Sequence, residues 1–187
     1  MKIGNVFNEV INEGKGHSYG CVMLYLEVPT EWWKSITDEI ESDDVYEPEY
    51  ERSYGIQPAS NSHVTILYGL HSDIPDTDIE DLIDKMTAPE VTLKKITTFP
   101  ETNDRGFDVV KFDVTGDDLF KMNKMFAELP HTTDYPDYHP HCTIAYVKAG
   151  TGDKYKRTLS DDDSLTIKPT KVVYSKANGE EKEYKFK

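Results

Sequence analysis

The chain has 187 residues, 37% of them apolar, with 12 Tyr and 7 Phe, and 21 basic residues against 35 acidic ones give a net charge of −14. That length suits one compact domain or two tightly joined lobes with a real core, and the composition excludes a wholly disordered chain. The charge excludes a coat for long DNA or RNA, whose phosphates its field repels, yet leaves room for a small phosphorylated ligand in a local pocket; the apolar stretches are too short to cross a bilayer.

Residues 3–13 carry Ile3, Val6, Phe7, Val10 and Ile11 at helical spacing, ended by Gly14 and Gly16. We read residues 1–16 as an amphipathic extension, and 17–187 as one domain. No continuous apolar run follows Met1, so no signal peptide is expected. Residues 21–28 predict a buried strand, with Cys21, Met23, Tyr25 and Glu27 on one face. Thr30 then caps a helix to about Glu41, with Trp32, Trp33, Ile36 and Ile40 on its apolar side. Residues 43–62 lose all periodicity and predict a long loop, of the kind that serves as a lid or binding segment.

His63–Leu70 predicts a second strand. Thr77 and Glu80 match a capping box opening a helix with Ile79, Leu82, Ile83 and Met86 inward. Strands over Val91–Phe99 and Phe107–Val114 flank a hairpin loop with Asn103, Asp104 and Gly106. A helix over Asp117–Leu129 follows, then a proline-rich loop and a strand over Cys142–Val147. The polar stretch 149–165 reads as a solvated loop. Two last strands, about 166–174 and 182–186, flank an Asn178–Gly179 turn. Helices and hairpins mix, so the fold class is α+β. Cys21 and Cys142 make no disulfide framework and no metal-ligand spacing, which points to a reducing cytoplasm.

Two strands share a pattern. His63-Val-Thr-Ile-Leu-Tyr68 and His141-Cys-Thr-Ile-Ala-Tyr146 agree at four of six positions and begin 78 residues apart. His131-Thr132-Thr133 matches the tripeptide alone, but lies in a polar loop and is set aside. On a strand, residues two apart share a face, so His63 projects with Thr65 and His141 with Thr143. Val64, Ile66, Cys142 and Ile144 then face a core. If the strands are neighbours, two imidazoles and two hydroxyls meet in one cleft. The histidines supply a general base and a general acid, and the threonines supply donors to a phosphate. This is a kit for phosphodiester cleavage by an internal 2′-hydroxyl. Two competing readings are satisfied core histidines and a zinc site through His139 and His141. The second lacks a Cys or carboxylate at supporting spacing. Strict alternation turns Tyr68 and Tyr146 away from the histidines. Tyr25, Tyr54 and Tyr138 are candidates to stack on a base, and Arg105 to meet a phosphate.

The paired motifs resemble those of the 2H phosphoesterase superfamily, over about Cys21–Val147 and the C-terminal strands. The resemblance implies a bilobal α+β fold, two antiparallel-sheet lobes about a central cleft with helices outside. It implies His63 and His141 as acid and base, Thr65 and Thr143 as phosphate ligands, and no metal or organic cofactor. Within the superfamily the chain looks most like phage anti-CBASS nucleases, in which an aromatic residue of the first strand region contributes to the site; Tyr25 is the matching position. That implies a small cyclic oligonucleotide as substrate, a host-cell cytoplasmic setting, and no membrane or long nucleic-acid partner. Other branches, acting on 2′,3′-cyclic phosphate RNA ends or 2′,5′-oligoadenylate, use the same four residues. A non-catalytic cyclic-nucleotide sponge and a partner-docking protein are the readings from other classes.

Overall fold

The computed structural model describes residues 19–48, 54–102, 104–133 and 137–186. The expected helix at 3–13, and with it the proposed extension, lies outside the described residues. Nine strands and three α-helices form among the residues described. The strands are β1 (Gly20–Tyr25), β2 (His63–Leu70), β3 (Val91–Phe99), β4 (Phe107–Thr115), β5 (His141–Lys148), β6 (Arg157–Thr158), β7 (Leu165–Ile167), β8 (Lys171–Ser175) and β9 (Glu181–Lys185). The helices are α1 (Thr30–Thr37), α2 (Asp76–Ile83) and α3 (Asp117–Phe126).

The strands build two antiparallel sheets. The first has the order β2-β1-β8-β9, and the second β5-β4-β3-β6, with β7 also paired to β3. The α+β, two-sheet expectation therefore holds. Each sheet turns its apolar face to one continuous core containing Val22, Leu24, Val64 and Ile66 of the first and Leu93, Phe112, Cys142 and Ile144 of the second. Burying such side chains contributes roughly 1.5–3 kcal/mol each.

The helices brace the sheets crosswise. Helix α1 follows a strand of the first sheet but packs on the second. Trp32 stacks on Phe112 with ring centroids 5.7 Å apart, and Trp33 follows at 6.3 Å. Helix α3 follows a strand of the second sheet but reaches the first, where Asn123 Nδ2 donates to Ile66 O at 2.7 Å. Helix α2 is pinned to the first sheet by Asp76, which meets Lys176 at 3.0 Å and also Lys182.

Several local expectations are corrected. Helix α1 stops at Thr37, and its N-cap is Pro29, with no side-chain cap bond; Thr30 is its first residue. The Thr77–Glu80 capping box does not form, because α2 begins at Asp76 after Pro75. In both cases the fixed proline backbone sets the helix start without a side-chain cap. The strand expected at 166–174 is two strands in different sheets, divided at Lys168-Pro169-Thr170. The 149–165 stretch is more than a solvated loop. Tyr155 is buried, and Asp108 accepts from the Gly150 and Gly152 N–H groups at 2.9 Å each.

Segment 43–62 is also no free lid over its described residues. Its two arms strap along the outer edge of β5. Tyr46 N–H donates to Tyr146 O at 3.0 Å, Tyr146 N–H to Gly55 O at 3.0 Å, and Gln57 N–H to Ile144 O at 2.8 Å. The strap covers an edge that would otherwise present unpaired backbone groups.

Candidate active site

His63 opens β2 and His141 opens β5. These two strands are edges of different sheets, not neighbours within one. The two edges nevertheless lie against each other in the fold. Val64, Ile66, Cys142 and Ile144 are fully buried, as alternation requires. His63, Thr65, His141 and Thr143 are half-buried on the opposite faces.

Both imidazoles are oriented in the same way. Nδ1 of His63 donates to Asn61 O at 2.7 Å, and Nδ1 of His141 donates to His139 O at 2.8 Å. A carbonyl only accepts, so each Nδ1 carries the hydrogen and each Nε2 is the basic nitrogen of the neutral ring. Burial lowers the proton affinity of both. His63 falls below the ordinary histidine value, and His141 falls to about 4, burial being the main cause and the positive charge of Lys111 and of His63 adding to it. Burial thus favours the neutral form of both rings. A phosphodiester anion between them raises their proton affinity and lets one hold the proton that a general acid must deliver.

The repeat encodes a further feature. On β2, Met23 pairs with Thr65 and Val22 with Leu67, so Ile66 is a bulge. On β5, Lys111 pairs with Thr143 and Val110 with Ala145, so Ile144 is a bulge at the same motif position. A bulge of this kind sends two successive side chains to one face. Ile66 and Leu67 both enter the core, and so do Ile144 and Ala145. Beyond the bulge the alternation is reversed. Tyr68, paired with Cys21, and Tyr146, paired with Val109, therefore lie on the faces that carry the histidines. This corrects the expectation that both tyrosines point away. The adjacent apolar pairs Ile66-Leu67 and Ile144-Ala145 are the signal in the sequence that strict alternation overlooked. Each bulge frees a carbonyl from its ladder. Asn123 takes that of Ile66, and Gln57 N–H takes that of Ile144.

The other candidates fall at different places. Tyr25 pairs with His63, its ring centroid 5.7 Å from the imidazole. Tyr138 donates from Oη to Thr65 O at 3.2 Å and sets its ring edge-on to Phe120, so it links the proline-rich loop to the first motif. Tyr54 belongs to an aromatic group with Tyr46, Phe107 and Tyr146, with centroids 5.0–5.4 Å from its own. Arg105 is exposed at the β3–β4 hairpin, its backbone N–H held by Glu101 at 2.6 Å. That hairpin adjoins the strand ends that pair Phe107 with Lys148, whereas His141 pairs with Asp113 at the other end. His131 lies beside Leu70 at the far end of β2. At about 3.3 Å per residue, that is roughly 20 Å of strand from His63.

Residue-type patterning missed Lys111 and its partners. Lys111 is a lysine that is only 4% exposed. It pairs in register with Thr143, while Asp113 pairs with His141. Its ammonium forms an ion pair with Asp113, donates to Thr97 Oγ1 at 2.8 Å, and stands 4.1 Å from the centre of the Phe99 ring. Phe99 in turn meets His141 edge-on at 5.0 Å. Thr97 donates to Asp113 at 2.7 Å, and Lys95 approaches the same carboxylate at 3.8 Å. Burial pushes the Asp113 carboxyl up, but hydrogen bonds from Lys111 and Thr97 outweigh it and hold it below the usual range. The Lys-x-Asp at 111–113 is the sequence signal, a charged pair on one face of an otherwise apolar strand. Among the described residues, no cluster of three or more His, Cys, Asp or Glu side chains is placed to hold a metal ion.

No protein-family model matches the chain, and no curated protein matches it. Solved structures do. A phosphoesterase crystal structure aligns over 91% of this chain and 96% of its own, at 16% identity and a TM-score of 0.52. Escherichia coli LigT in complex with 3′-AMP aligns over the same shares at 15% identity and 0.54. Usb1 of Kluyveromyces marxianus aligns over 91% and 99% at 8% identity and 0.57, and its complex with uridine monophosphate at 0.56. The chain has the fold of these proteins along nearly its whole length, in keeping with the 2H phosphoesterase-like architecture that the motifs imply.

Proposed function

We propose that the chain is a metal-independent phosphodiesterase. Its favoured substrates are cyclic di- and trinucleotide messengers such as 3′,3′-cyclic GMP-AMP, and its action in the host-cell cytoplasm dismantles a bacterial immune signal on behalf of a phage. One observation carries the reading: two His-x-Thr motifs on facing edge strands, each histidine held as the Nδ1–H tautomer by the carbonyl two residues before it. One Nε2 takes the proton of a ribose 2′-hydroxyl, and that oxygen attacks the adjacent phosphorus. The other histidine gives its proton to the departing 5′-oxygen. A 2′,3′-cyclic phosphate end forms, and water opens it with the roles reversed. Thr65 and Thr143 donate to the non-bridging oxygens as charge builds on them.

Tyr25, set against His63, supplies a face for a base. The net charge of −14 favours a ligand with few phosphates over a polymer. LigT with 3′-AMP and Usb1 with uridine monophosphate share this fold, which supports a nucleotide in the same cleft. Those complexes also favour a second reading, that the chain acts on 2′,3′-cyclic phosphate RNA ends or on 2′,5′-oligoadenylate.

The test is turnover in excess EDTA of 3′,3′-cyclic GMP-AMP, cyclic triadenylate, 2′,5′-oligoadenylate and a 2′,3′-cyclic phosphate RNA end, with products identified by mass spectrometry. Linearisation of the cyclic messengers, lost in His63→Ala and His141→Ala, is the expected result. Opening of only the other two substrates moves the chain to the second reading. Binding without turnover, with intact ligand released on denaturation, makes it a sponge.

A further inference from the structure

The two histidines share a motif, a bulge and a tautomer, yet their surroundings differ in charge. Facing His141 are Lys111 and Asp113 from β4, Lys95 from β3, and His63 from β2. Two lysines here share one carboxylate, so a positive charge is left in excess. The in-register neighbour of His63 is Tyr25 from β1, and the charged groups of that sheet lie beyond it, Lys171 on β8 and Glu181, Glu183 and Lys185 on β9. Lys171 pairs with Glu183 at 2.8 Å and stands 5.6 Å from the Tyr25 ring. The ring set against His63 is thus an uncharged tyrosine, where His141 has a lysine and an aspartate beside it.

Lys111 is also fixed rather than roaming. Its ammonium is held by Asp113, Thr97 and the Phe99 face, in a position where little water screens it. A lysine immobilised beside one of two otherwise matched histidines breaks their symmetry. We infer that Lys111 is a positioning cation for His141: it makes His141 the ring that begins the cycle without the shared proton, so that His141 is the initial base and His63 the initial acid. This rests on the phosphodiesterase reading above. An entering phosphodiester anion raises the proton affinity of both rings, and Lys111 offsets that rise at His141. His141 Nε2 then takes the 2′-hydroxyl proton as the O2′–P bond forms. His63 Nε2–H protonates the 5′-oxygen as the P–O5′ bond breaks. In the second step His63 takes a proton from water, and His141 returns its own to the 2′-oxygen. Both rings end as they began.

The experiment pairs leaving groups with histidine variants. Uridylyl-3′,5′-adenosine needs an acid for its leaving oxygen, whereas the 4-nitrophenyl ester of uridine 3′-phosphate releases a phenolate that needs none. His63→Ala is expected to lose about 100-fold or more on the first substrate but less than about tenfold on the second, while His141→Ala loses heavily on both. The opposite pattern overturns the assignment while leaving the phosphodiesterase reading intact. Alongside, the imidazole nitrogens of 15N-histidine protein are titrated by NMR. Lys111→Met should raise the His141 midpoint and leave that of His63 in place. Lys111→Arg should restore it, and Asp113→Asn, which removes the offsetting carboxylate, should move it the other way. An unmoved His141 midpoint in Lys111→Met and Asp113→Asn overturns the role of Lys111. If the wild type turns over neither ester, the phosphodiesterase reading still stands or falls on the cyclic substrates above, and the titration decides whether Lys111 governs His141. The Asp113→Asn arm carries that decision should Lys111→Met not fold.

Discussion

The first and second motifs are two solutions to one problem. Each opens an edge strand with a histidine, ties Nδ1 to a carbonyl two residues back, and inserts a bulge at the isoleucine after the threonine. The supports differ. Asn123, a side chain from α3, satisfies the first bulge, and the backbone N–H of Gln57 satisfies the second. Tyr25 flanks His63, and a lysine–aspartate pair flanks His141. The comparison teaches that the six-residue repeat sets backbone path and ring orientation, while neighbouring strands set the electrostatics of each ring.

Breaking either ring should have the largest effect. His63→Ala and His141→Ala are each expected to lower kcat on the cyclic substrate by about 100- to 10,000-fold, measured by chromatography of the linear product, with melting temperatures near that of the wild type. One histidine dispensable on every substrate would end the two-motif account. Thr65→Ala and Thr143→Ala come next. Loss of a hydrogen bond to a charged group, about 1.5–3 kcal/mol, corresponds to roughly 10- to 150-fold in kcat/KM, and Thr→Ser should recover most of it.

The bulges allow a sharper distinction. Asn123→Ala leaves the Ile66 carbonyl without its side-chain donor and should destabilise the protein by about 1–3 kcal/mol in urea unfolding. The first motif should loosen with it, seen as a broadened His63 imidazole signal beside an unchanged His141 signal. The smallest effect concerns pH. Because His141 binds its proton less tightly folded than unfolded, the unfolded chain takes up more protons between the ordinary histidine value of 6.5 and about 4. Stability from this residue is present above that window and is lost as pH falls through it. His141→Gln should flatten part of the slope in a series of urea melts across pH 4–7.

Much of this was legible in the sequence, because the signals were local. The bounds of β2 and β3 follow from apolar alternation flanked by loops, and His63, Thr65, His141 and Thr143 follow from a repeated pattern with a chemical meaning. Elements were misjudged where distant partners decide. The stretch at 166–174 gives its two halves to different sheets, and only the tertiary fold determines which half goes where. Thr30 and Thr77 resembled caps, but the preceding prolines already set the chain direction. Tyr68 and Tyr146 were turned the wrong way because a bulge adds one residue, and an alternation count cannot absorb one. Lys111 was missed because a lone lysine on a strand acquires meaning only when Asp113, Thr97 and Phe99 close around it.

The crosswise bracing bears on selectivity. Trp32 and Trp33 tie a helix from the first half of the chain to Phe112, Asn123 ties a helix from the second half to β2, and Tyr46, Gly55 and Gln57 bind the backbone of β5. The first two attachments cross between the sheets, and the third secures the β5 edge. The crossing attachments join the two sheets on either side of the histidines. On the proposed reading, a cyclic nucleotide meets strand edges braced in this way, and discrimination by ring size and pucker is the expected result.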